Sequence, residues 1–174
     1  MRALVVYESM FGNTAHIARA IGAGLAERGV VVTISSVDGV VPDDVAGADL
    51  LIVGGPTHAH GLSNDASRQS AMRDEHNTFD EPTMGPGLRG WMDTLPDGAS
   101  RAAAAFDTRI GGAPKWLTGS AAKHVAERLD AHGYRLVSEP ESFLVTRHND
   151  LVDGEVERAT TWGSGVASSI RVSR

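Results

Sequence analysis

The first residues of this chain could bind a phosphate group. An apolar run at residues 4–7 is followed by Glu8-Ser9-Met10-Phe11-Gly12-Asn13-Thr14 and then by a helical pattern. A strand, a short loop and a helix N-terminus direct several backbone N–H groups to one point, at the positive end of the helix dipole. Ser9 and Thr14 add hydroxyl donors, and Gly12 lets the backbone approach a ligand closely. Asn13 or Thr14 is predicted to cap the helix.

Two later segments are also expected to border a ligand site. Residues 54–63 read Gly-Gly-Pro-Thr-His-Ala-His-Gly-Leu-Ser, and residues 107–116 read Asp-Thr-Arg-Ile-Gly-Gly-Ala-Pro-Lys-Trp. Both follow apolar runs typical of buried strands. In a doubly wound parallel sheet, ligands bind outside the carboxyl ends of the strands, near the point where the strand order reverses. We therefore expect residues 8–14, 54–63 and 107–116 to lie together.

His58 and His60 raise the question of a metal site. Alternate residues of a strand share a face, so a His-x-His pair on a strand can chelate an ion. The preceding Gly-Gly-Pro predicts a loop at these positions, and no nearby carboxylate or third histidine completes a ligand set. We predict no metal site. Contact of an imidazole with an organic ligand and exposure to solvent both remain open.

The elements that must position these loops alternate between strands and helices. The pattern predicts strands at residues 2–7, 30–34, 48–53 and 101–106, and a fifth strand region at 134–137 and 143–145. Helices are predicted at 14–28, 85–96, 120–132 and 154–171. Strands that are apolar on both faces and alternate with helices indicate a parallel sheet covered on both sides. This spacing fits an α/β three-layer sandwich around a five-stranded parallel sheet of order 2-1-3-4-5.

Composition narrows the classes of function. The chain has 174 residues, which fits a single domain over 1–174, and it has no cysteine, which excludes disulfides and thiolate catalysis. The net charge of −6 argues against a nucleic-acid surface and suits either solubility or docking onto a basic partner. No apolar stretch is long enough to span a bilayer, and the first residues lead directly into a strand, so a cytoplasmic protein is expected. The first turn also lacks the Gly-x-Gly-x-x-Gly fingerprint and the lysine of nucleotide-hydrolysing loops.

Residues 7–14 resemble a known phosphate-binding loop. Tyr-x-Ser-Met-Phe-Gly-Asn-Thr is similar to the loop of the flavodoxin family, usually Thr/Ser-x-Thr-Gly-x-Thr. It is especially similar to the Tyr-x-Ser-Met-Tyr-Gly-Asn-Thr form of the flavodoxin-like domains of flavodiiron proteins. Phe11 departs from the pattern of classical flavodoxins, which carry a hydroxyl there. The Gly-x-Pro-Thr segment at residues 54–57 resembles the one that follows the third strand in many flavodoxin-like proteins.

The resemblance implies a flavodoxin-like fold and non-covalently bound FMN. The phosphate-binding residues implied are Ser9, Met10, Phe11, Gly12, Asn13 and Thr14. The residues implied to border the flavin ring are Pro56, Thr57, His58, Ala59, His60, Gly61, Asp107, Thr108, Arg109 and Gly111. Arg109 is expected near the pyrimidine end, where a positive charge would raise the reduction potential.

The third loop departs from the family pattern. The resemblance implies an aromatic residue, often tyrosine, that stacks on the outer face of the flavin. The segment 107–116 contains no tyrosine, and its one aromatic residue is Trp116. We therefore expect the outer face to be lightly covered. Trp116 as a stacking residue and Trp116 as a packing residue of the following helix remain open.

A long connection of polar composition leaves the third strand. Residues 62–83 are rich in charged and amide side chains, and the resemblance implies that residues 64–83 are extra relative to short flavodoxins. Connections of this length tend to be lids or partner surfaces. We expect this segment to act as a lid or a partner-facing loop.

The function expected from these observations is electron transfer by an FMN-binding protein, to a redox partner protein or a small-molecule acceptor. Two alternatives remain open at this stage. One is an FMN-dependent reductase of quinones or similar small acceptors. The other is a flavin-free module of the same fold that serves in binding or regulation.

Overall fold

A parallel β-sheet forms the centre of the protein in the computed structural model, which describes residues 1–58, 61–62, 85–112 and 119–172. Its strands are β1 (Arg2–Tyr7), β2 (Val31–Ser36), β3 (Leu50–His58), β4 (Gly61–Leu62), β5 (Ala102–Ile110), β6 (Arg135–Leu136) and β7 (Glu141–Val145). The strand order is β2-β1-β3-β5-β6, β7 also pairs with β5, and β4 pairs antiparallel with β3. With β6 and β7 as the two parts of the predicted fifth strand, the order 2-1-3-4-5 is confirmed.

Helices cover both faces of the sheet. They are α1 (Asn13–Glu27), α2 (Pro42–Gly47), α3 (Gly87–Met92), α4 (Ala121–Ala131) and α5 (Glu155–Val172). One apolar cluster joins the sheet to α1 and α5, and a second joins it to α2, α3 and α4. Side chains of β5 alternate between them, because successive residues of a strand point to opposite faces. Ala104 and Phe106 belong to the first cluster, and Ala103 and Ala105 belong to the second.

Two central strands extend further than their apolar patterns predict. β3 continues to His58 and β5 to Ile110, so the start of each predicted loop is strand. Gly54 pairs with Phe106, and a Cβ at position 54 would overlap the ring of Phe106. Glycine therefore allows the two strands to stay paired where an alternation of apolar residues no longer marks them.

The edge strand and a connector also differ from expectation. β2 lies at the edge of the sheet, and Val31 is 65% exposed. This strand is therefore not covered on both faces, contrary to the expectation from its apolar residues. The connector after β2 contains the short helix α2, with Pro42 in its first turn, a position that tolerates the missing N–H of proline. The helix predicted at 85–96 is shorter, at Gly87–Met92.

The helices α1 and α5 are in close contact through glycine residues of both helices. A Cβ at Gly24 would overlap the carbonyl oxygen of Thr160, and a Cβ at Gly163 would overlap the backbone of Ile21. Ser164 Oγ also donates a hydrogen bond of 2.9 Å to the carbonyl oxygen of Gly24. The two helix backbones can approach this closely only because these positions lack side chains.

We expect Gly24→Ala to lower the free energy of unfolding by about 1–3 kcal/mol, the usual range for overpacking a well-packed core. The clash is with backbone, which cannot rotate away, so it outweighs the roughly 1 kcal/mol that alanine gains over glycine in a helix. Urea unfolding measures the difference. The matched control is Gly165→Ala in α5, where a Cβ would meet no described atom within 4 Å apart from its chain neighbours and the nearby backbone of its own helix. This variant should be as stable as the wild type or more so. Equal stability of Gly24→Ala and the wild type would contradict the contact.

Candidate functional site

The loop between β1 and α1 forms a turn that ends in a left-handed glycine. Gly12 has φ 83° and is the N-cap residue of α1, a conformation that glycine adopts without steric cost. The N–H of Gly12 donates to Ser9 Oγ at 3.1 Å. The prediction that Asn13 or Thr14 caps the helix is wrong, because both lie inside the first turn and their side chains bond elsewhere.

The N-terminus of α1 keeps its first N–H groups available. The first amides of a helix have no partner inside it. Within the part of the chain that the structure describes, no side chain caps this end, and its first turn contains no acidic residue. Ser9 and Thr14 are 1% and 2% exposed, and Met10 is buried at 1%, whereas Phe11 is partly exposed. The turn therefore presents amide and hydroxyl donors at the positive end of a fifteen-residue helix.

Thr14 is paired with a residue of a distant strand. Thr14 Oγ1 lies 2.8 Å from Thr108 Oγ1, and both side chains are buried. Thr108 was predicted to border the ring; the structure places its hydroxyl against α1, at the phosphate end of the predicted site.

Asn13 contacts a turn that the sequence analysis did not include in the site. Asn13 Nδ2 donates to the carbonyl oxygen of Asn149 at 2.6 Å. Asn149 has φ 63°, and its turn is closed by a 2.7 Å bond from the N–H of Thr146 to the carbonyl oxygen of Asp150. An Asn-Asp pair in the connection between the last strand and the last helix indicates a turn at this position. The contact of this turn with Asn13 is long-range and cannot be inferred from the residues of the turn alone.

Thr57 and Asp107 hold the N-terminus of α4. Asp107 Oδ2 accepts from Thr57 Oγ1 at 3.0 Å, from Ser120 Oγ at 2.8 Å and from the N–H of Ala122 at 2.9 Å. Thr57 Oγ1 in turn accepts from the N–H of Ala121 at 3.0 Å. Asp107 is fully buried, and its Oδ1 has no hydrogen-bond partner among the described residues. These side chains therefore fix a helix, and one carboxylate oxygen remains as an acceptor.

The other predicted ring-bordering residues lie at the ends of β3, β4 and β5. Pro56 pairs with Thr108 across β3 and β5, and Gly61 pairs with His58 in the antiparallel β4 contact. Arg109 is partly exposed near the end of β5, and Gly111 follows that strand, with its N–H bonded to the carbonyl oxygen of Val145. The prediction that His58 lies in a loop is wrong, since it is the last residue of β3. Ala59, His60, Trp116 and residues 63–83 lie outside the described residues.

A buried carboxylate directly after β1 is a further feature that the sequence pattern did not reveal. Glu8 is fully buried, and its Oε2 accepts from the N–H of Leu88 at 2.7 Å. Asp38, after β2, accepts from the N–H of Gly85 at 3.2 Å. Leu62 therefore lies beside β3, whereas Gly85 lies beside the ends of β1 and β2.

The donors gathered at the N-terminus of α1 fit a phosphate monoester. A phosphate accepts hydrogen bonds and carries negative charge, and this end of α1 offers free amides, two hydroxyls and the helix dipole. The described residues contain no group of three histidine or acidic side chains that could hold a metal ion. Nor does any helix in the described ranges have the length and apolar character needed to cross a membrane.

Comparison with known proteins gives a family match over more than half of the chain. The family model described as Flavodoxin matches residues 5–107, a range that includes the loop between β1 and α1, all of β3 and most of β5. An uncharacterized protein of Methanocaldococcus jannaschii is 30% identical over 96 residues, which is 53% of this chain and 24% of that protein. The chain thus covers about a quarter of the length of this relative.

Solved structures share the fold over nearly the whole chain. A flavodoxin from the domain Archaea has a TM-score of 0.68 at 23% identity, with 98% of this chain and 99% of that chain covered. The oxidised Flavodoxin 1 of Bacillus cereus has a TM-score of 0.68 at 21% identity, covering 97% and 98%. A flavodiiron core from Synechocystis has a TM-score of 0.65 at 16% identity, covering 100% of this chain and 37% of that one.

Proposed function

The chain belongs to the flavodoxin family, and we propose on this basis that it binds FMN without a covalent bond and carries electrons. The observation that carries the proposal is the uncapped N-terminus of α1, with Ser9 and Thr14 buried beside it. When bound, FMN supplies the redox chemistry, and the protein supplies binding, orientation and electrostatics.

The phosphate end of the cofactor is assigned to residues 9–14. Backbone amides of the loop and the first turn of α1, with the hydroxyls of Ser9 and Thr14, donate to the phosphate oxygens. No lysine or arginine lies within the loop, so the positive field comes from the helix dipole and the amides. In this proposal Asn13 positions the loop through its bond to Asn149.

The ring end is assigned to residues 56–61, Asp107, Arg109 and Gly111. Thr57 and Asp107 act here by fixing the N-terminus of α4 beside the ends of β3 and β5. Asp107 Oδ1 adds a buried acceptor that suits an N–H donor such as that of the flavin pyrimidine ring. Arg109 is two residues after Asp107 in β5, so it places a positive charge on the same face of the sheet as Asp107.

The exchange of electrons is proposed to take place with a redox partner protein or a small acceptor in the cytoplasm. The described residues that flank the connection lie near the carboxyl ends of the strands: Leu62 pairs with Thr57 of β3, and the N–H of Gly85 donates to Asp38 after β2. This supports the proposal that the connection covers the site or faces the partner. The net charge of −6 suits a basic partner surface.

Titration of cofactor-free protein with FMN and with riboflavin tests the proposal. We expect saturable binding of one FMN per chain, a perturbed visible flavin spectrum, and riboflavin binding at least about a hundred-fold weaker, because several charge-assisted hydrogen bonds to phosphate are missing. Reversible reduction of the complex without turnover of a quinone would support a carrier, whereas sustained quinone turnover would indicate the reductase. Absence of FMN binding by folded protein would contradict the proposal and favour a flavin-free module.

A further inference from the structure

Thr108 lies on β5 but faces the helix that begins at the phosphate loop. Side chains of β5 alternate between the two layers, so Thr108 shares the face of Ala104 and Phe106, while Asp107 faces α4. Thr108 is 4% exposed and its Oγ1 is 2.8 Å from Thr14 Oγ1. Two neighbouring residues of one strand thus act on two different helices.

The direction of this hydrogen bond determines what Thr14 can offer to an anion. Each hydroxyl has one proton, and an anion can only accept hydrogen bonds. Within the described structure neither hydroxyl has another hydrogen-bond partner. If Thr14 donated to Thr108, no proton of Thr14 would remain for the ligand, and the buried proton of Thr108 would have no acceptor. If Thr108 donates, both protons are used once Thr14 donates to the anion.

We propose that Thr108 is a positioning residue of the phosphate site. It donates its hydroxyl proton to Thr14 Oγ1, and Thr14 donates its own proton to a phosphate oxygen of FMN. Aligned hydroxyls polarise each other, so each bond of the chain strengthens the next. The inference rests on the proposed function and adds a role for a residue that does not touch the phosphate.

The test compares Thr108→Val, which keeps the shape and removes the hydroxyl, with Thr108→Ser, which keeps the hydroxyl. FMN and riboflavin affinities are measured by flavin fluorescence. We expect Thr108→Val to weaken FMN binding about 5–10-fold, less than the loss of a whole hydrogen bond to a charged group. Riboflavin has no phosphate, so its affinity for the Thr108→Val variant should differ from that for the wild type by less than about two-fold. The Thr108→Ser variant keeps the hydroxyl and should bind FMN as tightly as the wild type.

A double-mutant cycle shows whether Thr108 acts through Thr14. In a Thr14→Val background, Thr108→Val should weaken FMN binding by less than about two-fold, because the residue that it positions is already absent. Independent, multiplicative losses would overturn the inference. So would equal losses for FMN and riboflavin, which would indicate a merely structural role, or wild-type FMN affinity in Thr108→Val. Failure of the wild type to bind FMN would overturn the proposed function first.

Discussion

Replacing Ser9 and Thr14 together by alanine is expected to weaken FMN binding by about a hundred-fold or more. Each hydroxyl lies at the N-terminus of α1, and each hydrogen bond to a charged group contributes about 1.5–3 kcal/mol. Two such bonds correspond to roughly 3–6 kcal/mol, and a hundred-fold loss requires about 2.8 kcal/mol. The expected loss falls in the lower part of this range, because the backbone amides remain and the two hydroxyls act on one group. Isothermal titration with FMN measures it.

Two controls separate the loss of the hydroxyl donors from a change in the shape of the loop. Thr14→Ser keeps the donor and should bind FMN within a few-fold of the wild type. Riboflavin binding by the double variant should match that of the wild type, since the lost donors face a phosphate that riboflavin lacks. Unchanged FMN affinity in the double variant would contradict the assignment of residues 9–14 to the phosphate. This conclusion would not depend on the assignment of the ring end.

Asp107→Ala is expected to lower the free energy of unfolding by about 3–5 kcal/mol. The carboxylate is fully buried, and its Oδ2 accepts from Thr57, Ser120 and the N–H of Ala122. Alanine leaves these donors inside the protein without their acceptor, at a cost of about 1–3 kcal/mol for each donor that water does not reach. Urea unfolding, with the midpoint lowered and the slope unchanged, measures the loss.

Asp107→Asn separates the acceptor from its charge. Its amide oxygen can still accept from Ser120 and Ala122, so we expect a smaller loss of about 1–2 kcal/mol. Ser120→Ala removes one donor and the N-cap of α4 and should also cost about 1 kcal/mol. If Asp107→Ala unfolds like the wild type but binds FMN weakly, the residue contacts the cofactor and does not anchor α4.

The first strand and helix show how far a local pattern reaches. The predicted strand at 2–7 matches β1 residue for residue, and the predicted helix at 14–28 differs from α1 by one residue at each end. Apolar periodicity and glycine at the helix ends are local properties, so they are readable without the fold. The cap of α1 was not predicted, because the left-handed Gly12 and the long-range bonds of Asn13 and Thr14 are set by their surroundings.

The ends of β3 and β5 show where a local pattern stops being informative. Gly54, Gly55 and Pro56 have low strand propensity and predict a loop, but pairing with β5 continues to Pro56. The strand exists there because the neighbouring strand is present and because Gly54 makes room for Phe106. Tertiary contacts override a weak local preference.

By itself, the sequence determined the layers and the strand order of the fold and predicted phosphate binding at residues 9–14, since these inferences rest on periodicity, on the spacing of elements and on residue types that lie next to each other in the chain. Only the tertiary structure decided which side chains complete the site. Thr14 meets Thr108 across 94 positions, Asn13 meets Asn149 across 136, and Thr57 meets Asp107 across 50. Each partner is an ordinary polar residue whose type permits many contacts. Its actual contact is set by strand register and by helix packing as close as that between Gly24 and Thr160.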